Sequence, residues 1–587
     1  MYAQYAYAQI PVKTSSHRTG ENPQVTSGRV VWLALFVYAA MAVALFSSTW
    51  VDPAGSWIGS PKDPQLFIWY LGWIPHELAQ GHNPLFTDHL SYPSGVNLMW
   101  NTSMIFPAVL LWPVTALFGP VVAYNVLVTA GIALSAWLGF LAAGRFIDRQ
   151  LWCFVTGLVY GFSPALIAQA MGHPHVTVAL FPPIALILGH EILGHETPVR
   201  RRMRPAVAGA LAGAAAALQL LTGEELLAVT LLVAAVGAAL LALMNRDQVR
   251  SAAPYVLRAS GVALLAFAII AAYPLGFQFL GPQRVYGSVQ PPDVYVSDLL
   301  AFVVPSRFFH FTGNTAESGA YIGVPLLALF AAGLVMGWRQ MAIRWTALMT
   351  LIVALLSLGP HLHVDGYVTQ VWLPWAAVAW LPLFGSALPG RLMSIAFLGV
   401  GMVVAWACLE AFKRTRPWRV GTGVLLFAAV LAFLPSLPSL PFPSEHASAP
   451  AFFKPGGGVE KIAPGSVLLV TPFSSKESTD AMYWQAVANY RFKMPEGDAF
   501  TPGPYLGPHP SFMKSVLDDL DAGKSLTVTP DVLSRFVADL KQAGVSGGIV
   551  VGPSRGQAAI IAFLTEVEGS APSEDGGVRV WWFYSTP

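Results

Sequence analysis

Two carboxylates near the start of the chain have the type and setting for acid–base work on a hydroxyl. Asp52, in WVDP, and Asp63, in PKDPQ, both lie in the 50–103 stretch, a long aromatic loop between apolar runs. A carboxylate fixed at a membrane face can take a proton from a substrate hydroxyl. Asp63 is followed by Pro64 and by QLFIWYLGWIPHELAQG, where apolar residues recur at helical spacing. Asp at the N-cap with Pro at the first helical position signals a helix start. Two readings of Asp63 therefore stand together: it caps this helix, or it is a general base held by the helix start. The predicted helix is amphipathic, with Phe67, Trp69, Tyr70 and Trp73 suited to the bilayer interface.

Further polar residues interrupt the apolar sequence. His173 and His175 sit two apart in GHPHV; two histidines without a third ligand are a weak metal signal, so they line a substrate cavity or satisfy local hydrogen bonds. Glu224 and Glu225, in TGEE, break a long apolar stretch where acids are costly, as cavity residues or as the polar tip of a helical hairpin. Asp88 in the first loop and Glu317 in TAESGAYIG belong to the same group of cavity candidates, although Glu317 also suits a helix cap. His361, His363 and Asp365 form a denser polar loop. Arg284, Arg307, His310 and Arg391 add positive charge to these loops, and Arg391, in ALPGRLM at the mouth of a helix, either grips an anion in a fork geometry or anchors at the headgroups.

What must position these residues is a membrane domain. Of 587 residues, 55% are hydrophobic and 11% charged, against about 25% charged in an ordinary globular protein. Apolar runs predict helices at about 30–49, 121–143, 151–168, 176–194, 205–222, 226–244, 257–278, 321–337, 345–358, 391–411 and 419–437. The count expected is about 11 to 13 spans, following a polar, uncleaved tail at 1–29. Basic clusters at 13–29, 145–149, 200–204, 246–258, 339–344 and 413–419 fall on one side if 104–118 is re-entrant or interfacial. The positive-inside rule makes that side cytoplasmic. The polar loops then face outward. With a net charge of +2 and basic residues confined to inter-helix turns, nucleic acid is not an expected partner. Cys153 and Cys408 lie in apolar runs and imply no disulfide.

Composition changes beyond the membrane domain at 30–437. A proline-rich linker at 438–460 is expected to be extended and semi-rigid. From 461 to 587, GSVLLVTPF, GGIVVGP and VRVWWFY read as strands, and three amphipathic or mixed segments read as helices, giving a small extracytoplasmic α/β domain with a partly parallel sheet. It has neither a GxGxxG nor a P-loop signature. The domain is expected to assist acceptor binding or to pack over the mouth of the site.

The first span, the long outward loop and an Asp beside an interfacial helix resemble the GT-C glycosyltransferases, polytopic enzymes that use polyprenyl-phosphate sugars. KDPQLFIWYLGW, GHNPL, YPSGVNLMWNTS, YGFSPALIAQAMGH and LPGRLM resemble actinobacterial membrane proteins placed in that superfamily, over roughly 30–410. The resemblance implies transfer of a sugar, with inversion, from a polyprenyl-phosphate donor to a hydroxyl of an envelope glycan, lipid or protein on the outer face of the plasma membrane. It makes Asp63 the base, with Asp52 the rival position. It also asks for positive charge on the leaving phosphate, from Arg, His or a divalent metal; no other cofactor is implied. This chain lacks the paired acidic residues some members carry there, because Lys62 and Pro64 flank Asp63. Two other classes fit a polytopic chain. A transporter or lipid flippase should show repeats and midplane charges, and a non-catalytic envelope scaffold should leave these polar residues scattered.

Overall fold

A computed structural model describes residues 28–193, 203–287, 290, 293–305, 308, 319–381, 384–414, 416–434, 440–474, 478–502, 505–506 and 511–583. Each apolar run forms a helix: Gly28–Leu45, Pro120–Ala143, Gln150–Gly161 continued by Pro164–Gln169, Phe181–Leu193, Pro205–Leu220, Glu224–Met244, Arg246–Leu280, Val324–Gly337, Met341–Ser357, Met393–Phe412 and Arg416–Phe433. Among the described residues, seven helical segments are long and apolar enough to cross a membrane, and three more are apolar but shorter. The chain is thus a polytopic helical membrane protein with a small α/β domain at its C-terminal end. Residues 104–118 split into Ile105–Leu110 and Trp112–Phe118. Neither can cross a core of about 30 Å at about 1.5 Å of rise per residue. Cys153 and Cys408 are buried and not disulfide-bonded.

The helix over Asp63–Ala79 departs from its expected character. Pro64, Gln65 and every residue from Phe67 to Pro75 are buried, so it has no lipid-facing apolar stripe. Trp69 and Trp73 stack at 5.0 Å, the Trp69 indole donates to Gln485 Oε1 at 2.7 Å, and Tyr490 donates to the Trp69 carbonyl at 2.8 Å. The aromatic residues that looked like interface anchors are instead the packing surface for the C-terminal domain. Each large side chain so buried contributes about 1.5–3 kcal/mol.

That domain has a four-stranded sheet in the order Ser573–Asp575, Val578–Trp582, Gly548–Val551, Leu468–Thr471. The last two strands run parallel and the other neighbours antiparallel, as the strand–helix alternation predicts. Helices Phe512–Asp521, Pro530–Gln542 and Gln557–Glu568 cover one face, around Leu469, Phe536, Ile549 and Phe563. The opposite face, through Leu468, Val470, Val550 and Val580, belongs to the same core as the membrane helices. The proline-rich segment is also tied down. Ser444–His446 pairs antiparallel with Ser56–Ile58, and Phe442 meets Phe46 edge-on at 4.9 Å.

Candidate functional site

The helix begins at Asp63 itself, with Lys62 at the position before it. Asp63 is therefore the first helical residue rather than the cap, at the positive end of the helix dipole, where negative charge is favoured. Its carboxylate turns to His173: Oδ2 lies 3.4 Å from Nε2, with the carboxylate about half exposed and the imidazole largely buried. Tyr124, wholly buried, is close enough for the Asp63 charge to act on its hydroxyl.

Two glycines allow this approach. Gly59 has φ +106, and a Cβ there would fall 2.4 Å from the Met171 carbonyl oxygen. The Ser60 amide and hydroxyl both donate to that same oxygen, at 2.8 and 2.9 Å, pinning the two loops together. A Cβ on Gly172 would lie 3.0 Å from Asp63 Cβ. Asn125, buried in the Pro120–Ala143 helix, accepts from the Ile58 amide at 3.0 Å and donates to the Pro53 and Ser56 carbonyls at 2.9 and 2.8 Å. The loop is held on three sides. Lys62 takes φ 94, a left-handed conformation in a non-glycine residue. Such strain costs on the order of 1–3 kcal/mol and clusters at functional sites.

From His173 a polar chain leads inward. The His173 and His175 rings are 5.9 Å apart, and His175 Nε2 is 3.4 Å from Arg391 Nη1. The same Nη1 donates to Glu225 Oε2 in a tight ion pair. Glu225 Oε1 also accepts the Leu388 amide at 2.7 Å, which fixes the turn that presents Arg391. Asp63, His173, His175, Glu225 and Arg391 thus converge from four segments distant in sequence. Glu224 points elsewhere, accepting from Gln278 Nε2 at 3.0 Å, so the paired acids of TGEE serve two different places.

Among the described residues, Asp52, Arg284 and Asp88 make their contacts elsewhere. Asp52 forms a local turn, its Oδ1 accepting the Gly55 amide at 3.0 Å. Arg284 donates to the Phe279 carbonyl at 3.1 Å and lines a separate opening of about 570 Å³ with Trp100 and Tyr286. Asp88 pairs with Lys493 of the C-terminal domain. The hydrogen bond from His89, with help from Lys493, holds its carboxyl down to about 2. His361 and His363, on the strand His361–Val364, turn to Asp293 at 2.9 and 3.8 Å, and Asp365 follows in the tight turn to the strand Tyr367–Trp372. Arg307, His310 and Glu317 lie outside the described residues.

A larger cavity of about 980 Å³ opens at the other end of the Asp63–Ala79 helix, lined by His76, Glu77, His82 and Asp88 and by Tyr490 and Arg491 of the C-terminal domain. Burial pushes the Glu77 carboxyl up and His76 down. Asp63 is not among its lining residues. Fourteen helical residues separate Asp63 from Glu77, about 21 Å at 1.5 Å per residue. Among the described residues, no group of three or more His, Cys, Asp or Glu side chains is disposed to hold a metal ion.

Asn125, Gln65 and Thr479, whose hydrogen bonds hold the backbone before Asp63 and the first turn of its helix, and Gln485, which bonds the Trp69 indole further along, went unread in the sequence. Asn125 carried a usable signal, a strongly polar residue inside an apolar span. The other three look like ordinary helix and loop residues.

No protein-family model matches the sequence, and no curated protein matches it. Solved structures do resemble the fold. The arabinofuranosyltransferase AftD from Mycobacteria aligns with 89% of this chain at 16% identity and a TM-score of 0.53, although this chain spans only 36% of that one. The oligosaccharyltransferase AglB from Archaeoglobus fulgidus, in complex with an inhibitory peptide and a dolichol-phosphate, aligns over 89% of this chain and 69% of its own at 13% identity and 0.52. The same enzyme with zinc and sulfate gives 92% and 70%, 14% identity and 0.52. At these identities the likeness is one of fold: the chain shares the architecture of AftD and AglB.

Proposed function

We propose that the chain is an inverting membrane glycosyltransferase that moves a sugar from a polyprenyl-phosphate donor to a hydroxyl on the outer face of the membrane. The observation that carries this reading is the convergence of a half-exposed carboxylate, Asp63, with His173, His175 and the Arg391–Glu225 pair. The fold shared with lipid-phosphate-dependent enzymes supports the substrate class, and AglB has been seen with a dolichol-phosphate. The side of the membrane rests on the one-sided basic clusters.

In the proposed reaction the acceptor oxygen attacks the anomeric carbon, and its proton passes to Asp63. The bond from that carbon to the phosphate oxygen breaks, and the polyprenyl phosphate leaves with the electron pair. Arg391 supplies positive charge beside the leaving phosphate, sharing its guanidinium with Glu225. A pre-placed cation in a partly dry site is worth more there than in water, since it need not reorganise during the reaction. His173, in contact with the carboxylate, orients the base. Cell-envelope glycans, lipids and proteins all offer a suitable hydroxyl. Asp88, beside the large cavity with Glu77, lies far enough from Asp63 to contact a remote part of an acceptor rather than the reacting atoms.

The test is turnover of labelled polyprenyl-phosphate pentoses and hexoses by purified, bilayer-reconstituted protein. Release of free polyprenyl phosphate together with a labelled acceptor, dependent on the protein, is the expected result. Movement of intact donor across the bilayer without cleavage, or no turnover of any donor in the panel, would overturn the proposal.

A further inference from the structure

Helix Asp480–Val487 of the C-terminal domain starts one residue after Thr479. From that position a threonine hydroxyl ordinarily caps its own helix. Thr479 makes no such cap. Its wholly buried Oγ1 reaches out of the domain instead, 2.6 Å from the Lys62 carbonyl oxygen and 2.6 Å from Gln65 Oε1. Gln65 Nε2 in turn donates to Asp480 Oδ1 at 2.6 Å, and the Gln65 amide to the Lys62 carbonyl at 3.0 Å. The residue so gripped, Lys62, has φ 94 and immediately precedes Asp63. A strained peptide of this kind persists only where its surroundings over-determine it.

We propose that Thr479 is a positioning residue for the Asp63 carboxylate. By sharing its one hydroxyl proton between the Lys62 carbonyl and Gln65 Oε1, it keeps the unfavourable backbone that aims Asp63 at His173. This rests on the reading of Asp63 as the base. It gives the C-terminal domain a specific part in catalysis: the domain sets the base without contacting substrate there. Without the hydroxyl, the Lys62 peptide relaxes toward an ordinary conformation and the carboxylate moves. A misplacement of about 1 Å is enough to cost on the order of a hundredfold in rate.

The test uses the full chain in bilayer nanodiscs. Thr479→Val keeps the shape and removes the hydroxyl; Thr479→Ser keeps the hydroxyl. Thr479→Val should lower turnover at saturating donor by about 10- to 100-fold, with the donor KM unchanged within about twofold. Thr479→Ser should retain at least about half of the wild-type turnover, as this hydroxyl-dependent role requires. Lys62→Gly placed in the Thr479→Val background should recover part of the loss, because glycine adopts positive φ without strain. If Thr479→Val does not accumulate as folded protein, Thr479→Ala takes its place against Thr479→Ser. Wild-type turnover in the hydroxyl-less variant, or equal losses in the serine variant, would overturn the proposal, as would a double variant no better than Thr479→Val. An Asp63→Asn variant run alongside separates the two readings. If it transfers normally, the base assignment fails; if it is dead while Thr479→Val is normal, only the positioning role fails.

Discussion

Asp63 Oδ2 and His173 Nε2 meet at 3.4 Å because Gly172 leaves no side chain between their loops. The 50–103 loop brings the carboxylate, and the turn after the Pro164–Gln169 helix brings the imidazole. Everything else in the site is arranged around that contact.

Gly172 should accordingly be intolerant of even one added carbon. The Cβ of Gly172→Ala would sit 3.0 Å from Asp63 Cβ and 3.2 Å from its Oδ2, so the carboxylate must give way by a few tenths of an ångström. The expected result is a fall in turnover of about tenfold or more with unchanged thermal stability. Parallel activity and melting measurements check it; equal loss of both would point to a packing role only.

The Arg391–Glu225 pair is mostly buried, with side-chain exposures of 10% and 20%. Arg391→Met leaves Glu225 as an uncompensated acid and should cost about 3–5 kcal/mol. Adding Glu225→Met should return most of that stability, since an apolar pair replaces an ion pair at little cost. Transfer should stay lost in the double variant if Arg391 faces the leaving phosphate. Denaturation and turnover measured on both variants and the wild type distinguish the structural part of the pair from its chemical part.

Gln485 joins the C-terminal domain to the aromatic helix. It accepts from Trp69 at 2.7 Å and donates to the carbonyls of His89 and Phe492 at 3.0 and 2.8 Å. Gln485→Leu strands buried polar groups at about 1–3 kcal/mol apiece. Limited proteolysis should then cut the C-terminal domain faster than in the wild type, while cleavage within the membrane helices stays unchanged.

Glu496 gives a pH signature. It is buried, and its Oε2 has no hydrogen-bond partner among the described residues. Burial pushes its carboxyl well above the ordinary glutamate range, with Lys514 pulling the other way and Asp518 adding to the rise. The folded chain therefore keeps a proton that the unfolded chain releases. Its stabilising contribution is complete below the unfolded value, about 4.3, and declines as pH rises above it. Glu496→Gln should match wild type near pH 4 and exceed it at pH 8, by about 1–3 kcal/mol. Melting curves across that range check the sign.

Much of this architecture was legible beforehand because its causes are local. Apolar runs marked most of the helices to within about five residues, although Arg246–Leu280 starts eleven residues before its expected position at 257, and the alternation of VLLV, GGIVV and VRVWW with amphipathic stretches marked the sheet. Asp63, His173, His175, Glu225 and Arg391 were visible as polar interruptions, but their meeting was not, since it depends on how distant loops pack. The aromatic run Phe67–Trp73 was misread as facing lipid. Its composition suits an interface equally well, and only the docking of Trp69 and Trp73 under Gln485 and Tyr490 distinguishes the two. Thr479 gave no signal at all: a threonine before a helix reads as a cap, and its hydroxyl goes elsewhere.

The most direct measurement compares Asp63→Asn with Asp52→Asn in purified, bilayer-reconstituted protein, following sugar transfer from a polyprenyl-phosphate donor at saturating concentration. Asp63→Asn should lose about 10²- to 10⁴-fold in turnover, the usual worth of a general base, while still binding donor. Asp52→Asn, whose carboxylate only closes a local turn, should stay within about twofold of wild type, in the range of an ordinary surface change. Wild-type transfer by Asp63→Asn, or a loss confined to Asp52→Asn, would contradict the assignment of Asp63 as the base.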